Sequence, residues 1–397
     1  MGMKSYERVL LRTLAKTLDK PLPVFQVLAG PRQVGKTTLA KQLMAQSSFP
    51  AVYASADSPL PPGPEWIETQ WRLARLKARE GGTSLLVLDE IQKVRGWHEE
   101  IKRLWDGRDS QPEHIRLLLL GSSILLLRDG LAASLAGRFF LHRCSHWSFS
   151  ECREAFGWTF DQWIYFGGYP GTAVFASDET EWRQYVTESL VETVLARDVL
   201  QLQRIAKPAL LRHLFALAAS FPAQVFSYNK MLGQLHDAGN TTTLAHYLQL
   251  LESAMLASGL EAFWRGRVRK RGSSPKLILW NNALVNALSG RTMAQSLDDS
   301  AWRGRLVENA AGAHLLNGLS PADHTITYWR VGDLEVDFVV SSGATDRAFE
   351  VKSGRAGKTS GMQAFRKLYP DARALLVGNE GIPLEEFFLT PAADWLR

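Results

Sequence analysis

The chain has 397 residues, of which 46% are hydrophobic, so it is long for one ordinary domain and apolar enough to form real cores. It carries 46 Lys and Arg against 40 Asp and Glu, a formal net charge of +6. The two cysteines, Cys144 and Cys152, make no disulfide framework and no metal-ligand pattern, which is typical of a reducing compartment. The N-terminus lacks a signal-peptide core, and the longest apolar region, 117–127, is too short to span a bilayer. These features predict a cytoplasmic protein of about two or three domains without a membrane segment.

The first chemical motif lies between an apolar, strand-like run at 24–29 and a helix-like run at 39–44, where the sequence reads Gly-x-x-x-x-Gly-Lys-Thr. Glycines let the backbone wrap a phosphate with its N–H groups pointing inward, and the next helix aims its positive dipole end at the same anion. The motif therefore predicts a phosphate-binding loop in which Lys36 reaches the outer phosphates and the Thr37 hydroxyl holds a magnesium ion. The predicted nucleotide contacts are Gly30, Pro31, Arg32, Gln33, Val34, Gly35, Lys36, Thr37 and Thr38.

A second buried strand is predicted at 84–88 and ends in Asp89 and Glu90. A continuous apolar run is typical of a central parallel strand, whose last residues lie at the carboxyl edge of the sheet, where ligands bind. We expect Asp89 to hold the magnesium ion, directly or through water, and Glu90 to polarise the attacking water. The alternative is a strand followed by a solvated acidic turn.

A third buried strand, at 115–121, ends in Ser122 and Ser123. A polar side chain at this strand end, next to the γ-phosphate, is able to sense the state of the nucleotide. The two serines are equally suited to cap a helix that begins near Ile124. The two interpretations are compatible.

The segments around these strand ends also carry a family resemblance. They are residues 30–38, 88–92, 120–123, 134–138, 147–151 and 166–171. Together they resemble the prokaryotic AAA-type (AAA+) ATPases that carry a C-terminal domain of unknown function, and the resemblance covers essentially the whole chain. It implies an α/β P-loop NTPase domain with a parallel sheet over 1–150, and ATP with Mg²⁺ as its cofactors.

The same resemblance makes Arg138 a candidate arginine finger or nucleotide sensor, since an arginine there would stabilise charge on the transferred phosphoryl group. If Arg138 acts across a subunit boundary, the protein must form a homo-oligomer such as a ring. Arg128 and Arg197 are rival candidates for this role. The alternative for Arg138 is a surface ion pair.

Residues 151–300 read as mostly helical, with a helical lid or linker at 151–205 and a separate domain at 206–300. In the latter, a Ser227 start, a short helix, a turn at Gly239 and a second helix that starts at a Thr241 cap match a helix-turn-helix. Two apolar runs on either side of a basic segment follow, which predicts a winged-helix-like domain. The alternative is a small helical packing domain with a solvated charged turn, and winged helices also serve in protein interactions.

The basic segment 265–271 places five cations within seven residues, a composition that suits contact with phosphates. Side chains on the second helix, including His246, are also predicted to be exposed. The candidate DNA contacts are Thr243, Tyr247, Arg265, Arg267, Arg269, Lys270 and Arg271. Because no set of base-reading side chains is visible, we predict DNA binding, to single-stranded or branched forms among others, without sequence specificity.

The last part of the chain, 301–397, has a predicted element order α-β-β-β-α-β. With Asp337 followed by Glu350-Val-Lys352, it resembles the restriction-endonuclease-like (PD-(D/E)xK) nuclease fold, and Glu308 matches a fourth position found in part of that superfamily. Asp337 and Glu350 on adjacent strands are suited to share a second Mg²⁺ or an Mn²⁺. Lys352 lies on the same strand face as Glu350 and would orient or deprotonate a metal-bound water. The alternative is a docking or DNA-holding module in which Glu350 and Lys352 form a surface pair.

The sequence as a whole favours an ATP-hydrolysing motor or switch that is coupled to DNA binding or processing through its C-terminal half. The rival hypothesis is an ATP-dependent switch or remodeller that acts on a protein partner, with the C-terminal domain as a catalytically inactive adaptor.

Overall fold

The structure is a computed structural model. It describes residues 6–20, 23–78, 82–108, 114–121, 134–196, 205, 207–235, 239–265, 274–343, 345–354, 360–378 and 380–397. The chain divides into two compact units, Met1–Ser145 and His146–Arg397. The first unit ends close to the boundary predicted at residue 150. Both cysteines are buried.

The first unit alternates strands and helices. In chain order it contains α1 (Val9–Asp19), β1 (Phe25–Ala29), α2 (Lys36–Gln46), β2 (Ala51–Ser55), α3 (Glu65–Ala78), β3 (Thr83–Asp89), a 3₁₀ turn (Ile91–Lys93), α4 (Trp97–Asp106), β4 (His114–Gly121) and β5 (Phe139–Arg143). Its described strands form a parallel sheet in the order β2-β3-β4-β1-β5. The strand that leads into the phosphate-binding loop, β1, is therefore separated from β3 by β4.

Helices cover both faces of this sheet, which explains why its central strands are continuous apolar runs. Side chains alternate between the two faces: Val27 packs in one core with Trp71 of α3, and Leu28 packs in the other with Leu39 of α2. All five residues of β1 are buried. Two buried polar side chains within the strands, Gln26 of β1 and His142 of β5, are hydrogen-bonded to each other (2.7 Å). The phosphate-binding loop follows the end of β1.

The second unit begins with short helices and continues into a mixed α/β layer. In chain order it contains α5 (Phe149–Phe156), α6 (Phe160–Phe166), a 3₁₀ helix (Pro170–Phe175), α7 (Glu179–Gln184), a π-helical turn (Tyr185–Val191), α8 (Pro208–Ser220), α9 (Tyr228–Gln234), α10 (Thr241–Ser253), β6 (Ala257–Ala262), β7 (Lys276–Leu279), α11 (Asn282–Ser289), α12 (Met293–Asp298), α13 (Ser300–Gly318), β8 (Thr325–Val331), β9 (Leu334–Ser342), β10 (Thr345–Val351), α14 (Ser360–Leu368), β11 (Arg373–Val377), α15 (Leu384–Leu389) and a 3₁₀ helix (Ala392–Leu396). From residue 300 onward the order of the main elements, α13, β8, β9, β10, α14 and β11, is the order predicted from the sequence.

The sheet of the second unit has six described strands in the order β11-β10-β9-β8-β6-β7. β6 and β7 are the antiparallel pair that the sequence predicts as a wing, but β6 also pairs in parallel with β8, where Glu261 faces Thr327. The predicted separation of 206–300 from 301–397 therefore differs from the structure. A sequence pattern predicts that a strand forms, but which strand it pairs with depends on the tertiary structure.

A cluster of buried asparagines joins the helices of the second unit to edge strand β7. Asn309 of α13 is fully buried, and its side-chain amide makes the two hydrogen bonds that the backbone of a neighbouring strand would make. Oδ1 accepts from Leu279 N (2.9 Å), and Nδ2 donates to Leu279 O (3.0 Å). The same Nδ2 donates to Asn282 Oδ1 (2.9 Å), and Asn282 Nδ2 donates to Ile164 O (3.0 Å). Buried backbone groups at the sheet edge are satisfied in this way by side chains.

In the part of the chain that the structure describes, no helix is both long enough and apolar enough to cross a membrane.

We expect Asn309→Ala to lower the free energy of unfolding of the second unit by about 2–4 kcal/mol, because it leaves Leu279 N, Leu279 O and Asn282 Oδ1 without this buried partner. Urea denaturation of the full chain, followed by tryptophan fluorescence, measures the change. Gln249→Ala, at an exposed position on α10, is the matched control. Equal midpoints for the two variants would show that the asparagine cluster adds little stability.

Candidate functional site

The phosphate-binding loop is shaped by backbone positions that demand glycine or a left-handed conformation. At Gly30, directly after β1, an added Cβ would lie 2.0 Å from Cys144 O, so no side chain fits. Cys144 follows β5, and its N–H donates to Ala29 O (2.7 Å). Gly35, the residue before α2, has φ 91°, and Gln33 has φ 64°. The loop is thus a tight turn whose N–H groups and helix start are suited to hold an anion.

Lys36, the first residue of α2, folds back over this loop. Its Nζ donates to Gly30 O (3.0 Å) and to Pro31 O (2.7 Å), and the side chain is buried. These bonds hold the ammonium beside the backbone that the sequence predicts to wrap the phosphates.

The carboxylate of Asp89, at the end of β3, is reached by three donors. Thr37 Oγ1 and Tyr53 OH each donate to Asp89 Oδ2 (2.8 Å), and Glu90 N donates to Asp89 Oδ1 (2.9 Å). Burial, and then the hydrogen bond to Asp89, raises the pKa of Tyr53, so its hydroxyl remains a donor through the alkaline range. Tyr53 lies on β2 and was missed by the sequence analysis, because nothing in its neighbourhood marks it as polar chemistry.

The structure thus brings the two predicted magnesium ligands, Thr37 and Asp89, into direct contact. Mg²⁺ takes oxygen ligands in an octahedron with bonds of about 2.1 Å, so adjacent ligand oxygens lie about 3.0 Å apart. The observed separation of 2.8 Å between Thr37 Oγ1 and Asp89 Oδ2 fits this geometry. The hydroxyl and the carboxylate are also the kind of hard oxygen donors that Mg²⁺ prefers.

Glu90 leaves the strand in an unusual backbone conformation, with φ 53° and ψ 37°. A non-glycine residue in the left-handed region costs on the order of 1–3 kcal/mol, and such residues cluster at functional sites. Gln92, two residues further on, donates from Nε2 to Glu90 Oε2 (2.6 Å). The turn therefore directs the Glu90 carboxylate away from the line of the strand, and Gln92 holds it there.

Strand β4 ends beside the phosphate-binding loop, since Gly121 pairs with Ala29 of β1. The predicted sensor residues Ser122 and Ser123 follow this strand end, but they lie outside the described residues, as do Arg128 and Arg197.

Arg138 lies at the opposite end of the strands, where β1 and β5 begin. It immediately precedes β5, and its carbonyl accepts from Phe25 N at the start of β1 (2.9 Å). Because β1 and β5 run parallel over five residues each, this end is about 16 Å from the phosphate-binding loop. The guanidinium forms a two-point ion pair with Asp106 (2.7 and 3.0 Å), which lowers the pKa of that carboxyl. Within its own chain, Arg138 and the predicted nucleotide contacts are not brought together.

The candidate nuclease residues, by contrast, do lie close together in the second unit. Asp337 Oδ2 on β9 accepts from Val351 N on β10 (2.8 Å), and Glu350 Oε1 pairs with Lys352 Nζ (2.5 Å). Burial, and then the charge of Asp337, raises the pKa of Glu350 to about 7. Burial likewise raises the pKa of Glu308 to about 8, with Asp337 as the second cause.

Two residues that the sequence analysis missed complete this carboxylate cluster, which comprises Glu308, Glu335, Asp337, Glu350, Lys276 and Lys352. Lys276 is fully buried, and its Nζ lies 2.5 Å from Glu308 Oε1, 3.1 Å from Glu335 Oε1 and 3.4 Å from Asp337 Oδ1. Burial opposes the charge of this lysine, but the three carboxylates outweigh burial and raise its pKa. No local signal marks Lys276, because it begins an ordinary apolar strand.

The structure describes three of the candidate DNA contacts, Thr243, Tyr247 and Arg265. Tyr247 is only 3% exposed and its OH accepts from Lys207 N (3.1 Å), so the prediction that it lies on an exposed helix face is wrong. Thr243 donates its hydroxyl to Asn240 Oδ1 (3.1 Å), and Asn240, rather than Thr241, caps α10. Arg265 is paired with Asp346 and Asp371, at 3.3 and 3.8 Å. The other predicted cations, Arg267, Arg269, Lys270 and Arg271, lie outside the described residues.

Three family models match successive parts of the chain. Residues 24–153 match an AAA domain, 157–295 match the domain of unknown function DUF8612, and 303–394 match the domain of unknown function DUF4143. The first match contains the whole loop and strand-end geometry described above. The first unit therefore resembles AAA domains, and the C-terminal part of the chain resembles DUF4143 domains.

The chain is also similar, over most of its length, to proteins of two mycobacteria. It is 28% identical over 382 residues to the uncharacterized protein Rv2008c of Mycobacterium tuberculosis and to the uncharacterized protein Mb2031c of Mycobacterium bovis, covering 93% of this chain and 80% of each relative. Among solved structures, the Walker-type ATPase PABY2304 of Pyrococcus abyssi matches with 16% identity and a TM-score of 0.47, over 70% of this chain and 94% of that one.

Proposed function

We propose that the first unit binds ATP with Mg²⁺ and hydrolyses it, through the residues that meet at the carboxyl edge of its sheet. The observation that carries the proposal is the contact of Thr37 Oγ1 with Asp89 Oδ2 at 2.8 Å, which joins the helix after the loop to the end of a different strand. The AAA domain match over 24–153 supports the same conclusion. Mg²⁺, when bound, would supply positive charge to the phosphate oxygens.

The chain's own residues divide the remaining work. The backbone of the loop binds and orients the phosphates, and Lys36 neutralises charge on the outer ones. Glu90 polarises the attacking water, and Gln92 keeps the Glu90 carboxylate in place through its 2.6 Å hydrogen bond. Tyr53 holds the orientation of Asp89, as outer partners of metal ligands commonly do.

We further propose that hydrolysis is coupled to the second unit and changes how that unit binds a macromolecule. DNA is the first candidate, supported by the basic composition of 265–271, a formal net charge of +6 and the gathering of the candidate nuclease residues. A protein partner, with the second unit as an inactive adaptor, is the second candidate. It is favoured by the buried lysine inside the carboxylate cluster and by the burial of Tyr247.

We propose that Arg138 acts on the nucleotide of a neighbouring subunit in a homo-oligomer. Its position at the edge of the sheet opposite the loop of its own chain supports this, since only another subunit would bring a nucleotide to it.

We expect Glu90→Gln to keep ATP binding within about threefold of wild type while turnover falls about 100- to 1,000-fold, because the amide has the same shape but is a poor base. Fluorescent-nucleotide titration and phosphate release measure the two quantities. Lys36→Ala is the contrasting variant, with binding itself lost. Normal turnover in Glu90→Gln would mean that another group activates the water.

The Arg138–Asp106 ion pair provides a matched test of the finger role. If Arg138 stabilises transferred charge, Arg138→Ala should lower turnover by about 1,000-fold or more, whereas Asp106→Ala, which breaks the same ion pair, should change it less than about threefold. Mixing Arg138→Ala with Lys36→Ala chains should recover part of the turnover if the residue acts across subunits. Equal effects of the two alanine variants would assign the pair to stability alone.

Salt dependence separates the two candidate partners. If the second unit contacts DNA phosphates, ATP turnover should rise with added single-stranded, duplex or branched DNA, and the half-saturating DNA concentration should increase at least tenfold between 50 and 200 mM salt, as a conservative estimate for several phosphate contacts. Phosphate release over a DNA titration at both salt concentrations measures this. Absence of both binding and stimulation with all three forms would remove the nucleic-acid proposal and leave the protein partner.

A further inference from the structure

Lys276 is surrounded by oxygen atoms in the manner of a bound cation. Besides the carboxylates of Glu308, Glu335 and Asp337, at 2.5, 3.1 and 3.4 Å, its Nζ donates to the backbone carbonyl of Asp337 (3.2 Å). The ring of Phe338 lies 5.0 Å from the same nitrogen. The lysine side chain is 0% exposed, so water does not share in its solvation.

An irregularity in the sheet lies at this contact. Thr327 of β8 pairs with Val339, whereas Trp329 pairs with Val336, so Asp337 and Phe338 of β9 both face the single residue Tyr328. Such a β-bulge interrupts the ladder and re-aims the groups on the bulged strand. The carbonyl of Asp337, at this bulge, accepts from Lys276 Nζ.

The same carboxylates are the ones that would hold a divalent ion. One oxygen from each of Glu308, Glu335 and Asp337 lies within 4.8 Å of the others, a spacing that suits one cation. The ammonium of Lys276 bonds to all three of these side chains. A metal ion bound by the three carboxylates would lie in contact with a buried like charge, which is strongly unfavourable in a site that excludes water.

We propose that Lys276 is the resident cation of the carboxylate cluster and that its ammonium and a divalent metal ion exclude one another there. In this arrangement the predicted second Mg²⁺ or Mn²⁺ has no place, and Lys352 has no metal-bound water to orient. The second unit then holds its strands and α13 together through a built-in cation. This inference does not depend on ATP hydrolysis in the first unit.

Removing the lysine should convert the cluster into a metal site. The test uses the full chain, with Asp89→Asn in every variant so that the first unit adds no binding, and titrates Mn²⁺ alone by electron paramagnetic resonance. We expect Lys276→Met to bind one additional Mn²⁺ at least tenfold more tightly than the parent, and Glu335→Gln in the same chain to abolish the gain. Lys230→Met, at an exposed position on α9, is the matched control and should behave as the parent.

The chain that retains Lys276 provides a second measurement if Lys276→Met fails to fold. Excess Mn²⁺ should shift its thermal midpoint no more than it shifts that of its Glu335→Gln counterpart, because the cluster takes up no metal in either. Stoichiometric Mn²⁺ binding in the presence of Lys276, lost on Glu335→Gln, would overturn the proposal. Failure of a well-folded Lys276→Met chain to gain a site would overturn it equally.

Discussion

The geometry of the first unit depends on one constraint: parallel strands that are buried on both faces carry mostly apolar side chains, so Thr37 and Asp89 lie at or beyond the carboxyl ends of the strands. β1 and β3 are not neighbours in the sheet, yet both run in the same direction and end at the same edge. The hydroxyl of Thr37 and the carboxylate of Asp89, 52 residues apart, meet there at 2.8 Å. Once the strands are buried, the edge is the place where a polyanion and its metal ion can be held.

The second unit differs from the first because it places charged side chains in its interior rather than at strand ends. Here charged groups lie inside the fold, where an unpaired charge is costly, so each must be matched by a partner. Lys276 is matched by three carboxylates and a carbonyl at the β9 bulge, and Lys352 by Glu350. The same reasoning applies to the neutral groups, since Asn309 satisfies both backbone atoms of Leu279 at the edge of the sheet.

The features that sequence reasoning predicted are those encoded by neighbouring residues. The loop, the strand before it and the helix after it depend on glycine positions and on apolar runs, and all three appear where the pattern predicts them. The cap at Ser227 is local in the same sense. The prediction that Tyr247 is exposed was wrong because its helix packs on two sides. The Tyr247 hydroxyl, which the sequence pattern places at the surface, instead accepts a hydrogen bond from Lys207 N.

The sequence by itself determined the Gly-rich loop between a strand and a helix, which strand carries the acidic pair, and the order of the main elements from residue 300 onward. These follow from short-range backbone preferences and from burial periodicity, which a linear pattern expresses directly. Only the tertiary structure decided that Arg138 lies at the sheet edge opposite the loop, that the predicted wing joins the C-terminal sheet, and that Lys276 sits among the carboxylates. Such outcomes depend on which distant strands pair and in which register, and a shift of one position in that pairing would change every charge that meets across the sheet.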